Sequence, residues 1–229
     1  MQWIHPIELI QKSVVIHRPL MPSINIFVID RMCWNQSVSL NTFLFGLFAV
    51  SLGLYNKVIK PLHALGAMSF ISMQLIEFFA WRNLGNKETI SFLSKIGLGL
   101  ILSQPLLVNA SRIKTIVIPL AYIIGVFLFF TSHTTTFSMH KADNGHLSWT
   151  WLPTSSVFIV SWMMFFLLPF LYTKEYLFFF TTLIISLISL YTYYKDNTWG
   201  SMWCWFANVY SIYLLFLVFS KDLCLAKPD

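Results

Sequence analysis

The stretch LHALGAMSFISMQLIEFFAW, residues 62–81, contains no proline and one formal charge, Glu77, across a length that matches a bilayer. A helix needs about 20 predominantly apolar residues to cross roughly 30 Å of hydrocarbon. Working outward, six further runs meet the same test: Ser37–Tyr55, Ile90–Val108, Ile113–Thr131, Ser155–Leu171, Tyr176–Tyr194 and Ser201–Ser220. Their apolar residues are continuous and do not alternate as in half-buried soluble elements. The expected fold is an all-α, polytopic transmembrane bundle of seven spans. Six is the fallback count, because only Thr173, Lys174 and Glu175 separate the fifth run from the sixth. Pro105, Pro119 and Pro169 fall inside spans, where membrane helices tolerate them if neighbours satisfy the freed backbone groups.

Composition agrees with lipid as the main solvent. Of 229 residues, 57% are hydrophobic and 10% charged, against about 25% charged in soluble domains. The formal net charge of +6 is spread singly along the chain, which excludes the clustered basic face of a nucleic-acid binder. Residues 1–36 are expected as an N-terminal tail that stays attached, with Ile7–Ile16 weakly amphipathic and able to lie on the membrane surface. Residues 37–220 form the transmembrane domain and 221–229 a short C-terminal tail. Counting basic residues close to the spans, the positive-inside rule puts the C-terminus in the cytoplasm.

One end of the bundle is marked. With alternating spans, all nine tryptophans (Trp3, Trp34, Trp81, Trp149, Trp151, Trp162, Trp199, Trp203 and Trp205) fall on the same half of the membrane. Interfacial belts normally occupy both sides, so the one-sided set suggests a binding vestibule as well as a belt. Between the flanking loop charges, the spans hold two charged side chains, Glu77 and Lys95. Charge in the bilayer interior costs about 2.5–3.5 kcal/mol even on the more modest scales. An antiparallel hairpin puts the two at similar depth, and a Glu77–Lys95 ion pair is expected.

On the second helix His63, Gly66, Gln74, Glu77 and Trp81 project within one arc, interrupted by Phe70. Packing by small and polar residues explains such a stripe as readily as a ligand or ion path does. In the seventh run Ser201, Cys204, Trp205, Asn208 and Ser211 share a face. The expected ligand or ion pathway is Gln74, Glu77, Trp81, Lys95, Trp203, Trp205 and Asn208. Gln104, projecting nearly opposite Lys95, belongs to a different contact set.

The connection 132–154 is long enough for a structured cap, divided by the turn signal Asp143-Asn144-Gly145. Its His133, His140 and His146 match no metal-ligand spacing, so no metal or other cofactor is expected. Cys33 and Cys204 lie on one side, where a disulfide between them is conceivable. The seventh run lacks the lysine by which rhodopsins hold retinal, and no receptor motif follows the third. The spans also lack the histidine set of ceramidase-like hydrolases and any nucleophile elbow or phosphate loop.

The segments Gln74-Leu75-Ile76-Glu77-Phe78-Phe79-Ala80-Trp81 and Gly200-Ser201-Met202-Trp203-Cys204-Trp205 resemble those of uncharacterised multi-span proteins of large DNA viruses and protists. That resemblance implies membership and no known activity. Function is therefore expected from the polar stripe: a channel- or transporter-like protein for a small ion, with the bilayer as its partner. The alternatives are an intramembrane enzyme acting on a lipid or isoprenoid, with Glu77 as general acid or base, and a receptor or assembly protein.

Overall fold

The computed structural model describes residues 35–151 and 156–225, with backbone alone at 156, 201–205 and 221–225. Each expected run becomes a helix: α1 Gln36–Tyr55, α2 Pro61–Arg82, α3 Lys87–Arg112, α4 Val117–Ser132, α5 Ser156–Tyr172, α6 Tyr176–Tyr193 and α7 Trp203–Leu225. Four of these, α1, α2, α3 and α6, are long and apolar enough to cross a membrane, and the other three contain shorter apolar helices. The expected surface segment Ile7–Ile16, the Cys33–Cys204 pairing and the side chains of Trp203 and Trp205 lie outside the described residues.

Helix ends follow local chemistry. Asn35 and Asn86 cap α1 and α3, their side chains accepting from Val38 at 3.0 Å and from Glu88 and Thr89 at 3.1 Å, which satisfies amides that have no intrahelical partner. Pro61 opens α2 at a position where its missing donor is not needed. The tight α5–α6 connection closes through Lys174, whose φ of 59° is left-handed. The Glu175 amide donates to Phe170 O at 2.8 Å and the Lys174 amide to Leu171 O at 3.1 Å, the paired bonds of a Schellman turn. The same pairing ends α1 around Lys57 and α6 around Asn197, with φ of 55° and 54°. A lysine there carries the left-handed penalty that glycine avoids, while its charge opposes the carbonyl end of the helix dipole.

Helix neighbours define a ring. α2 packs on α3, α3 on α5, α5 on α6, α6 on α7, and α7 back on α2; α1 lies against α2 and α7, and α4 against α3 and α5. The outer faces are apolar and open. On α4 only Tyr122 is buried, while Leu120, Ile123, Ile124, Phe127 and Leu128 are 50–66% exposed. Exposed apolar surface on this scale suits hydrocarbon and not water.

The internal prolines explain how α3 and α5 are joined. Proline cannot bond the carbonyl four residues earlier, so Pro105 frees Ile101 O and Pro169 frees Phe165 O. Trp162 of α5 donates its indole N–H to Ile101 O at 3.0 Å, and Asn109 of α3 donates its amide N–H to Phe165 O at 2.8 Å. Each helix thus repairs the other's proline gap. Pro119 sits in the first turn of α4, where no bond is lost. Gln104, fully buried, reaches across to Ser69 O of α2 at 3.4 Å.

The long fourth connection folds into a two-stranded antiparallel hairpin, β1 Met139–Lys141 and β2 Leu147–Trp149, a small addition to the all-helical expectation. The expected turn lies at its tip, with Gly145 at φ 87°. Asn144 accepts from the His146 amide at 3.1 Å and donates to Asp196 at 3.0 Å and Thr198 at 2.8 Å, tying the hairpin to the end of α6.

Candidate functional site

Among the described residues, four tryptophans of the marked end are packed into the interior. Trp149, Trp151, Trp162 and Trp199 are all buried, and Trp149 is 0% exposed. Its ring lies so close to α3 that a Cβ on Gly97 would stand 2.5 Å from Trp149 Cζ3. For these four, interior packing replaces the expected interfacial belt. Indoles offer large apolar area, and Trp149 of the hairpin and Trp199 of the 3-10 turn Trp199–Met202 add it to the buried core.

The expected Glu77–Lys95 ion pair is absent among the described residues; the ion pair found there is Arg112–Glu175. Depth along the membrane brings two side chains level, but helix azimuth decides contact. Buried positions of α3 (Ile90, Leu93, Ser94, Gly97, Leu98, Ile101, Gln104, Pro105, Val108 and Asn109) define a stripe from which Lys95 is rotated by about 120° at 100° per residue. Lys95 is exposed, its Nζ 5.7 Å from the Phe137 ring centroid. Glu77 and Gln74 face inward as expected, 1% and 0% exposed, whereas Trp81 and Asn208 are half-buried.

At the centre of the five-helix ring Phe70 of α2, Phe166 of α5 and Phe206 of α7 meet. Ring centroids lie 5.2 Å apart for Phe70–Phe166, 5.2 Å for Phe70–Phe206 and 6.2 Å for Phe166–Phe206. The rings come from three helices of the ring and pack against one another as one aromatic layer. With a rise of 1.5 Å per residue, Glu77 lies about 10 Å from this layer toward the hairpin end. Asn208 lies about 3 Å from it on the other side. The structure therefore does not bring Asn208 to Glu77.

Beyond the triad is a cleft lined by His63, Gly66, Phe70, Ser111, Arg112, Phe170 and Tyr210, among others, with a free volume of about 30 Å³. That is room for one or two water molecules. Its charged wall is a clamp. Glu175 accepts from Arg112 Nε at 3.1 Å and Nη2 at 3.1 Å, and from Thr173 Oγ1 at 2.9 Å. The guanidinium lies 4.5 Å over the Phe170 ring, and Ser111 Oγ accepts from Nη1 at 2.9 Å. Arg112 is 10% exposed and Glu175 31%. Bidentate geometry neutralises the arginine without removing its remaining N–H donors. Nδ1 of His63 is buried with no hydrogen-bond partner among the described residues.

Read from sequence alone, Arg112 and Glu175 are loop charges, and the cleft goes unseen. The available signal is the position of His63 and Gly66 on the same stripe as Glu77. Phe70, which interrupts that stripe in the sequence, is the residue that divides it in the structure.

No protein family, curated protein or solved structure matches the chain.

Proposed function

We propose that this chain is a seven-span membrane protein of transport type, in which protons or small ions move along the axis of the five-helix ring. The observation that supports this reading is the Phe70–Phe166–Phe206 layer, which lies between a buried carboxylate and amide, Glu77 and Gln74, and a mostly apolar cleft that carries His63, Ser111 and Arg112 in its wall. Narrow apolar constrictions gate by excluding water. Rotation of one ring out of the layer would connect the two zones.

In this reading Glu77 carries the proton or ion, because an intramembrane carboxylate is expensive to maintain without such a role. Glu175 holds Arg112 neutralised, which lowers the barrier that an unpaired guanidinium would raise against cations at the cleft. Alternate helices cross in opposite directions, and the cleft end, with Lys57, Lys60, Arg112, Lys114 and Lys174, faces the cytoplasm under the positive-inside rule.

The test uses purified protein in liposomes under an imposed pH or ion gradient. Wild type passes protons or a small ion slowly, Phe166→Ala passes them faster, and Glu77→Gln passes fewer. Flux that is the same in Glu77→Gln as in wild type, or no flux under any gradient from either wild type or Phe166→Ala, would refute the reading.

A further inference from the structure

A free space much larger than the axial cleft lies away from the ring axis, on the outer face between α3 and α4. This groove of about 540 Å³ free volume is lined by residues that include Gly99, Ser103 and Leu106 of α3 and Tyr122, Ile123 and Thr131 of α4. It falls within the roughly 300–1,000 Å³ of ordinary small-molecule sites, whereas the axial cleft has about 30 Å³. We infer that the groove holds one acyl chain of an anionic phospholipid whose headgroup sits at Lys114.

Three observations select that occupant. First, every polar side chain in the wall already has an acceptor: Ser103 donates to Leu100 O at 2.7 Å and Thr131 to Leu128 O at 2.9 Å within their own helices, and Tyr122 of α4 donates across to Leu102 O of α3 at 3.0 Å. A hydrocarbon chain therefore fits without leaving a donor unpaired. Second, length matches. From Gly99 to Leu106 is about 10 Å of helix and from Tyr122 to Thr131 about 13 Å, close to half of the 30 Å hydrocarbon core. Third, the α3–α4 connection, residues 113–116, follows about 9 Å of helix beyond Leu106 at that end of the groove and carries Lys114, exposed and basic, and no acidic residue. A cation at headgroup level attracts anionic lipid.

Gly99 and Ser103 form a small-xxx-small pair of the kind that normally draws a second helix into close contact. Here α4 does not press into it, and a Cβ on Gly99 would meet nothing within 4 Å. That open space is what the acyl chain fills. The inference rests on the membrane reading and not on transport, since lipid retention and flux are measured separately.

The test is lipid retention by full-length protein reconstituted in nanodiscs of equal phosphatidylglycerol and phosphatidylcholine, then extracted into mild detergent and examined by native mass spectrometry. Wild type is expected to retain one phosphatidylglycerol per chain. Lys114→Ala should lose the preference for phosphatidylglycerol over phosphatidylcholine, and Gly99→Phe, which fills the groove, should lose the retained lipid of either kind. Ile123→Trp, on an exposed wall position, repeats the filling test if Gly99→Phe fails to fold. Undiminished retention in both filling variants, no headgroup preference in wild type, or a second copy of the chain cross-linked at Ile123 in place of lipid would overturn the inference.

Discussion

Replacing Asn109 by alanine tests the reciprocal proline repair between α3 and α5. Asn109 is 1% exposed and its amide donates to Phe165 O, a carbonyl with no intrahelical donor because residue 169 is proline. Removing the amide orphans that carbonyl. A buried polar group deprived of its partner costs about 1–3 kcal/mol, while hydrogen bonds measured inside membrane proteins average about 0.6 and reach about 1.7 kcal/mol. Asn109→Ala is therefore expected to cost about 1–2 kcal/mol, close to a tenfold change in the unfolding equilibrium. Pro169→Ala restores an N–H that can serve Phe165 O within α5. In that background Asn109→Ala should cost less than about 0.5 kcal/mol, because the carbonyl is no longer dependent on α3. Unfolding by SDS titration in mixed micelles, followed by circular dichroism, measures all four proteins of the cycle. Equal cost of Asn109→Ala in both backgrounds would refute the reasoning, since the amide would then be acting through something other than the proline gap.

Other substitutions probe the two ends of the bundle. Gly97→Ala should destabilise by about 1–3 kcal/mol, because the added methyl would overlap Trp149; thermal unfolding should show partial recovery when Trp149→Phe is added. Lys174→Gly should raise the melting temperature, by up to about 1 kcal/mol of stability, since glycine accepts the left-handed conformation found there. Glu175→Gln leaves the nearly buried Arg112 without its counter-charge and should cost about 1–3 kcal/mol, below the 3–5 of fully buried pairs because Glu175 is partly exposed. Replacing both residues by leucine should recover most of that loss in the same unfolding assay.

Particular residues show how far the sequence can be read. Helix positions follow from the length of apolar runs, and even the three-residue α5–α6 turn is tight in the way its sequence implies. What makes that turn possible, a lysine in a left-handed conformation, carries no glycine to announce it. The inward placement of Gln74 and Glu77 is legible from helical projection. Lys95 is misplaced by depth along the membrane taken without azimuth, although the same projection that sets Gln104 apart from Lys95 also turns Lys95 away from the packed face. Residue type alone assigns the tryptophans to an interface, whereas tertiary packing buries Trp149, Trp151, Trp162 and Trp199, an effect with no local signature. Arg112 and Glu175 stand 63 positions apart, and their meeting depends on α3 and α5 sharing a wall. The Phe70–Phe166–Phe206 layer likewise exists only once three helices converge.

The proposed gate and the inferred lipid site both depend on every helix crossing the bilayer in alternation. Single cysteines introduced into a cysteine-free chain, with a membrane-impermeant thiol reagent applied to sealed vesicles, measure this directly. Positions 56, 115 and 174 should label together from one side, and positions 85, 143 and 195 from the other. Any position that labels with the opposite group would contradict seven alternating spans.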